Sequence, residues 1–160
     1  MKRLTVVAVL CLATFQLCAE TLTGRVVAIA DGDTLTVLDG SNTQYKIRLA
    51  GIDAPEKHQP FGSKSQSHLA ALAFGQNVTA ACGKTDRYRR QVCKILVNGQ
   101  DINLEQVKAG MAWWYHAYAK EQTAVDRGLY EQAQFFAQAR RLGLWSDTNP
   151  VPPWDWRRSK

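Results

Sequence analysis

The chain has 160 residues, with 20 Lys and Arg against 14 Asp and Glu, a formal net charge of +6 at pH 7 and a pI of about 9.3. That length suits one compact domain with a real core and leaves no linker long enough for a second; no internal repeat is present. A basic excess of this size favours polyanionic partners without choosing among them.

In chain order, residues 1–19 come first and read as a secretory signal. Lys2 and Arg3 form a basic start, residues 4–17 are mostly apolar, and Leu17-Cys18-Ala19 ends in a small residue suited to cleavage. The apolar run is shorter than the roughly 20 residues that span a bilayer, and neither Cys11 nor Cys18 sits in a lipid-attachment context. A retained membrane anchor is the alternative. Cleavage leaves 141 residues with 18 basic against 14 acidic side chains. The expectation is an exported monomer, periplasmic or extracellular, without stable membrane association. Of four cysteines, Cys82 and Cys93 then remain, 11 positions apart around Asp86-Arg87-Tyr88-Arg89-Arg90. In an oxidising compartment an even pair is normally a disulfide, and a loop this short is stabilised by about 2–3 kcal/mol. Two buried free thiols are the alternative. Zinc is set aside because no second Cys or His pair stands at ligand spacing.

Residues 21–30 read as a first strand through Leu22, Val26, Val27 and Ile29. The Asp31-Gly32 turn signal opens a second strand over 34–38. A tip at 39–42 leads to a third over 43–49, with Tyr45, Ile47 and Leu49 facing inward and Lys46 and Arg48 outward. Residues 51–60 form a loop in which Pro55 biases Ala54 toward an extended backbone. A helix follows over 63–74 and ends at Gly75. Strands over 77–81 and 91–97 flank the cysteine-bounded basic loop. A helix over 104–109 is expected to be capped by Asn103, with Gln106 as reciprocal partner and Ile102–Val107 as hydrophobic staple. A last helix over 125–142 shows Val125, Leu129, Ala133 and Phe136 at helical spacing, with Gly143 as left-handed cap.

This order predicts an α+β domain over residues 20–146, a five-stranded OB-fold β-barrel with three helices. Residues 147–160 form a Pro- and Trp-rich tail. There Trp154 and Trp156, with Arg157 and Arg158, either extend a nucleic-acid track or fold back or fray. Fold alone does not decide function.

The chemistry gathers around residues 30–56. The two ends of the hairpin return to one rim, which can bring Asp33 and Asp53 to a hard cation. Calcium takes carboxylate and backbone-carbonyl oxygens, and the Ala54 carbonyl is the candidate third donor. The alternative is a pair of turn-forming aspartates. Arg48 ends a strand and Arg90 ends the basic loop; a guanidinium holds phosphate oxygens bidentately and stays charged. Taken singly, they are read first as surface arginines. Glu56, three residues after Asp53, faces the same rim, free to orient or deprotonate water, or is an exposed loop acid. Three acids, a divalent cation, two arginines and a phosphodiester together balance to neutrality. Trp113, Trp114, Tyr115 and Tyr118 either stack on bases or pack the core.

Asp31-Gly32-Asp33-Thr34, Arg48-Leu49-Ala50-Gly51-Ile52-Asp53-Ala54-Pro55-Glu56, Asp86-Arg87-Tyr88-Arg89-Arg90, Gly110-Met111-Ala112-Trp113 and Gly143-Leu144-Trp145 stand in one order across nearly all of the mature chain. In this the chain resembles the staphylococcal (micrococcal) nuclease, or thermonuclease, family. The resemblance implies an OB-fold and Ca2+-dependent hydrolysis of DNA and RNA at the 5′ P–O bond, leaving 3′-phosphate ends. It implies calcium ligation by Asp33, Asp53 and the Ala54 carbonyl, and catalytic positions for Arg48, Glu56 and Arg90. Arg87 and Tyr88 match residues near the terminal phosphate, and Tyr118 matches a nucleotide-stacking tyrosine. The chain departs from the family pattern at Ala54 (threonine in the best-known member), at Arg89 (glycine), at His116 (a second aromatic stacker) and in the added Cys82/Cys93 pair. The rival readings are a noncatalytic OB-fold nucleic-acid-binding module and an envelope-tethered interaction protein.

Overall fold

Apolar alternation with period two drives the first half of the chain into an antiparallel meander. The computed structural model describes residues 20–159, so the expected leader lies outside the described residues. Strand β1 (Glu20–Asp31) turns at Gly32 into β2 (Thr34–Leu38), with Asp31 opposite Thr34. At the next tip, Asp39 Oδ1 accepts the Ser41 and Thr43 amides, each at 2.8 Å, and returns the chain into β3 (Gln44–Leu49). Thr34 there pairs with Arg48. Ile47 and Leu49 are buried, with Tyr45 packed beside them and Lys46 exposed, as the alternation predicts.

Two register shifts bend β1, so its first half pairs instead with β5 (Asn77–Thr85). Strand β5 pairs with β6 (Gln91–Val97), and β6 closes the sheet by running parallel to β3, with Arg48 opposite Val92 and Leu49 opposite Cys93. The order β3-β2-β1-β5-β6 and back to β3 is a closed five-stranded OB barrel. Closure leaves these strands no free edge and sets the end of β3 beside the start of β6. Two short pairings finish the sheets. Strand β4 (Ile52–Asp53) pairs with β8 (Trp113–Trp114), and β7 (Gln100–Asp101) continues from β6.

Helix α1 (Gly62–Ala73) packs Leu69 and Ala73 into the core. Helix α2 (Ile102–Lys108) starts earlier than its periodicity suggests, and its cap is Asp101, whose Oδ1 accepts the Leu104 amide at 3.0 Å. The expected cap, Asn103, is fully buried inside the helix. It accepts the Ile95 amide and donates to the Ala50 and Cys93 carbonyls, so barrel strands take its amide away from the helix end. Gln106 likewise turns inward rather than completing a capping box.

Helix α3 (Ala124–Ala139) is capped by Thr123 and buries Tyr130, Ala133 and Ala137. The expected Val125, Leu129 and Phe136 lie instead on its solvent side, 72%, 44% and 49% exposed, and only Ala133 of that set faces the core. Spacing reveals that a helix is two-faced but not which stripe finds a partner. The Tyr130 hydroxyl donates to both Asp101 oxygens (3.0 and 2.9 Å), and the alanines permit close approach. Arg141, with φ 53°, takes the left-handed turn ahead of Gly143. The tail adds a fourth, short helix α4 (Pro153–Arg158), begun by a proline whose missing N–H is no loss at a first helical position. Among the described residues no helix is long and apolar enough to cross a membrane.

Cys82 and Cys93 face each other across β5 and β6 and are joined as a disulfide, which sets aside the free-thiol alternative. Replacing both with serine should lower the unfolding free energy by about 2–3 kcal/mol in denaturant titrations, as expected for a loop of this length.

Candidate active site

The turn between β1 and β2 is pressed tightly against its neighbours. A Cβ on Gly32 would lie 1.8 Å from Ser65 Oγ and 2.8 Å from Ala54 Cβ, so only glycine fits. From behind, Gln106 Nε2 donates to the Gly32 carbonyl at 2.6 Å and to the Ser65 carbonyl at 3.2 Å. The next residue, Asp33, is thereby held against β4. Its Oδ2 accepts the Ala54 amide at 2.7 Å and lies 2.9 Å from Arg48 Nη1, while its Oδ1 accepts the Thr34 hydroxyl at 3.1 Å.

Asp53 is buried on β4, and its Oδ1 accepts Arg48 Nη2 at 2.8 Å. One guanidinium thus joins two carboxylates 20 positions apart in sequence. Burial pushes the Asp33 pKa up, to about 7; the Arg48 charge and the Ala54 amide pull against it, while Asp31 and Asp53 add repulsion. Burial thus disfavours the ionised acid, and the Arg48 guanidinium is what offsets that cost.

The opposite wall is the loop between β5 and β6. Asp86 organises it: Oδ1 accepts the Tyr88 and Arg90 amides (2.8 and 3.0 Å), and Oδ2 accepts Arg90 Nε at 2.8 Å. Burial raises the Asp86 pKa, but the hydrogen bonds from Arg90 and Tyr88 and the Arg90 charge outweigh it and hold the group below its usual range. Arg90 Nη1 reaches the Thr34 hydroxyl at 3.3 Å, which links the arginine through Thr34 to Asp33. Arg89, where the family pattern has glycine, sits at φ 62° in the left-handed region.

These walls enclose a groove of about 740 Å³ lined by Arg48, Asp53, Glu56, Arg87, Tyr88, Arg90, Tyr115 and Tyr118. Tyr88 is exposed between the Arg87 and Arg90 guanidinia, each 5.4 Å from its ring. Tyr118 stands edge-on to Tyr115 with centroids 5.0 Å apart. Ala54 is buried behind the groove, where its amide donates to Asp33. His116 is exposed and packs edge-on to Trp154 rather than lining the groove.

Arg157, on α4, completes the ring of charges. Its Nη2 lies 2.7 Å from Asp53 Oδ2, and its Nη1 lies 2.7 Å from Glu56 Oε1. Sequence reasoning placed no site role on Asp86, Thr34 or Gln106, and offered Arg157 only as part of a nucleic-acid track in the tail, not as a partner of Asp53 and Glu56. Asp86 carries a legible signal, an acid opening a tight turn. For Arg157, 104 positions from Asp53, no local signal exists.

Among the described residues, no three His, Cys, Asp or Glu side chains form a cluster able to hold a metal by themselves. A hard cation nevertheless fits the donors present. Asp33 and Asp53 offer carboxylate oxygens to either end of the Arg48 guanidinium, and the Arg157 guanidinium stands as a cation against Asp53. Carboxylate oxygens without a thiolate or imidazole partner are donor chemistry of the calcium kind rather than the zinc kind.

The left-handed backbone at Arg89 yields a prediction. Arg89→Gly should raise stability by about 0.5–1 kcal/mol, the relief of a side chain at positive φ less the added freedom of the unfolded chain, as read by denaturant titration.

Comparison with known proteins agrees with this architecture. Residues 46–147 match the family described as staphylococcal nuclease homologue. An uncharacterized endonuclease of Haemophilus influenzae is 48% identical over 141 residues, covering 88% of this chain and 76% of the relative. A micrococcal nuclease of Shigella flexneri is 43% identical over 145 residues, covering 85% and 80%. An uncharacterized endonuclease of Escherichia coli O157:H7 is 40% identical, covering 90% of both chains. With a family match over most of its length, relatives at this identity and a closed OB barrel, the chain belongs to the staphylococcal nuclease family.

Proposed function

We propose that this chain is an exported, Ca2+-dependent nuclease that hydrolyses DNA and RNA at the 5′ P–O bond and leaves 3′-phosphate ends. The observation that carries the reading is that Asp53, Arg48, Glu56 and Arg90 line one groove, with buried Asp33 joined to it through Arg48. Family membership and the endonuclease and nuclease names of its relatives support it.

Asp33, Asp53 and the Ala54 carbonyl would hold the ion. Bound calcium supplies charge neutralisation of the acids and polarisation of a phosphate oxygen. Arg48 and Arg90 present planar sets of N–H donors to the phosphate, and their contribution grows as attack adds negative charge at phosphorus. Glu56 orients the water and accepts its proton as the new O–P bond forms. The 5′ oxygen leaves in line and is protonated from solvent. Arg87 and Tyr88 flank the phosphate path, while Tyr115 and Tyr118 offer flat faces to bases. Flat faces and phosphate donors read no base edge, so base identity matters weakly.

Export is supported by the signal-like residues 1–19 and by a buried disulfide, a bond at home in oxidising compartments.

A fluorogenic single-stranded DNA assayed with Ca2+ and then with excess chelator tests the reading. Cleavage should appear with Ca2+ and vanish with chelator; binding without cleavage would favour the noncatalytic module. In the same assay Arg90→Ala should lower kcat by about 10²–10³-fold, the scale for losing one charge-stabilising donor, with Tm nearly unchanged. A large fall in Tm would make Arg90 a structural residue instead.

A further inference from the structure

The C-terminal tail folds back over the candidate site and places a permanent cation there. Helix α4 is anchored by aromatic packing: the Trp154 ring stacks on Tyr115 with centroids 5.0 Å apart and planes 17° apart, and meets Trp113 edge-on at 5.6 Å. Pro153 is buried, and Gln59 Nε2 donates to the Val151 carbonyl at 2.6 Å, tying the approach to α4 to the loop that bears Glu56. From this base Arg157 reaches both Asp53 Oδ2 and Glu56 Oε1. Its neighbour Arg158 turns the other way, to Asp155 at 2.6 Å and the Trp154 carbonyl at 3.2 Å on its own helix.

Asp53 is therefore fully engaged: Oδ1 accepts from Arg48 at 2.8 Å and from Arg157 at 3.3 Å, and Oδ2 accepts from Arg157 at 2.7 Å. Glu56, the group assigned to water, is neutralised by the same Arg157 side chain. We infer that α4 is an autoinhibitory latch: Arg157 is a tethered cation that competes with a divalent cation for Asp53 and withholds Glu56 until it is displaced. The inference rests on the calcium reading proposed above. The contact suits a latch because it is strong in geometry yet accessible. The Arg157 side chain is 44% exposed, so water can solvate the guanidinium when it swings out, whereas Asp53, 1% exposed, stays where it is.

The stacking of Trp154 on Tyr115 couples the same motion to the substrate side. Tyr115 lines the groove, and a base stacking on the face that Trp154 covers must first lift α4. Substrate and divalent cation thus open one element from two directions, each favouring the other's binding.

The apparent affinity of a cation for a protein that is mostly latched falls by the fraction that is open. Calorimetric titration of the purified, metal-free chain with CaCl2 tests this without reference to activity. Arg157→Ala should bind calcium about tenfold more tightly than the unsubstituted protein, the gain expected where the latch is closed about nine-tenths of the time. Arg158→Ala, which removes the same charge one position along, should stay within about twofold of the parent; an equal gain in both would reduce the effect to general charge and overturn the latch. In the parent protein, saturating calcium should also speed amide hydrogen exchange in α4. Equal calcium affinity in parent and Arg157→Ala, or weaker binding in the variant, overturns the latch while leaving the calcium reading intact. No calcium binding by either protein overturns both.

Discussion

The Arg48 guanidinium, shared between the buried carboxylates of Asp33 and Asp53, is the contact on which the rest of the site depends. Two acids removed from water within reach of one another are unfavourable unless cations and N–H donors replace the lost solvent. Here the replacement is dense: Arg48 serves both acids, the Ala54 amide and Thr34 hydroxyl serve Asp33, and Arg157 serves Asp53. Such an arrangement holds negative charge at a fixed point where one positive partner can take the place of another. Catalysis of phosphate transfer uses such a point, because charge can be exchanged there without rebuilding the surroundings.

The barrel is what holds that point still. Strand β3 delivers Arg48 because it is hydrogen-bonded on both sides, to β2 and to β6, so the arginine's backbone has no freedom to drift. The β1–β2 turn that carries Asp33 is wedged by Ser65 and held by Gln106 from α2. Asp53 is paired through β4 to Trp113 on β8, which the Trp145 ring in turn braces from 4.2 Å. Each charged group is mounted on a different element, and the hydrophobic core sets the spacing between them. The basic loop is the exception. It stands outside the core, and its shape comes from Asp86 and from the disulfide at its base.

The strands were largely legible because each is a local pattern. Ile47 and Leu49 alternate with Lys46 and Arg48, and the turn residues Asp31-Gly32 and Asp39-Gly40 punctuate the runs. The helical caps were less so. Asn103 and Gln106 have the chemistry of capping residues, and only the proximity of Cys93, Ala50 and Gly32 turned them inward. On α3, spacing picked out the wider apolar stripe through Val125 and Leu129, whereas burial followed Tyr130, for which Asp101 supplied a polar partner. In each case a competing long-range contact overrode a sound local preference.

The sequence by itself determined the barrel class, the chemical identity of the acids and arginines, and the cysteine pair, because residue type and short spacing carry that information. The closing of β6 on β3, the sharing of Arg48 between two acids and the return of Arg157 to Asp53 were decided only by the tertiary structure. Those contacts join residues with no fixed relation along the chain. Their energies depend on distance and on the exclusion of water, and both come into being only when the core has formed.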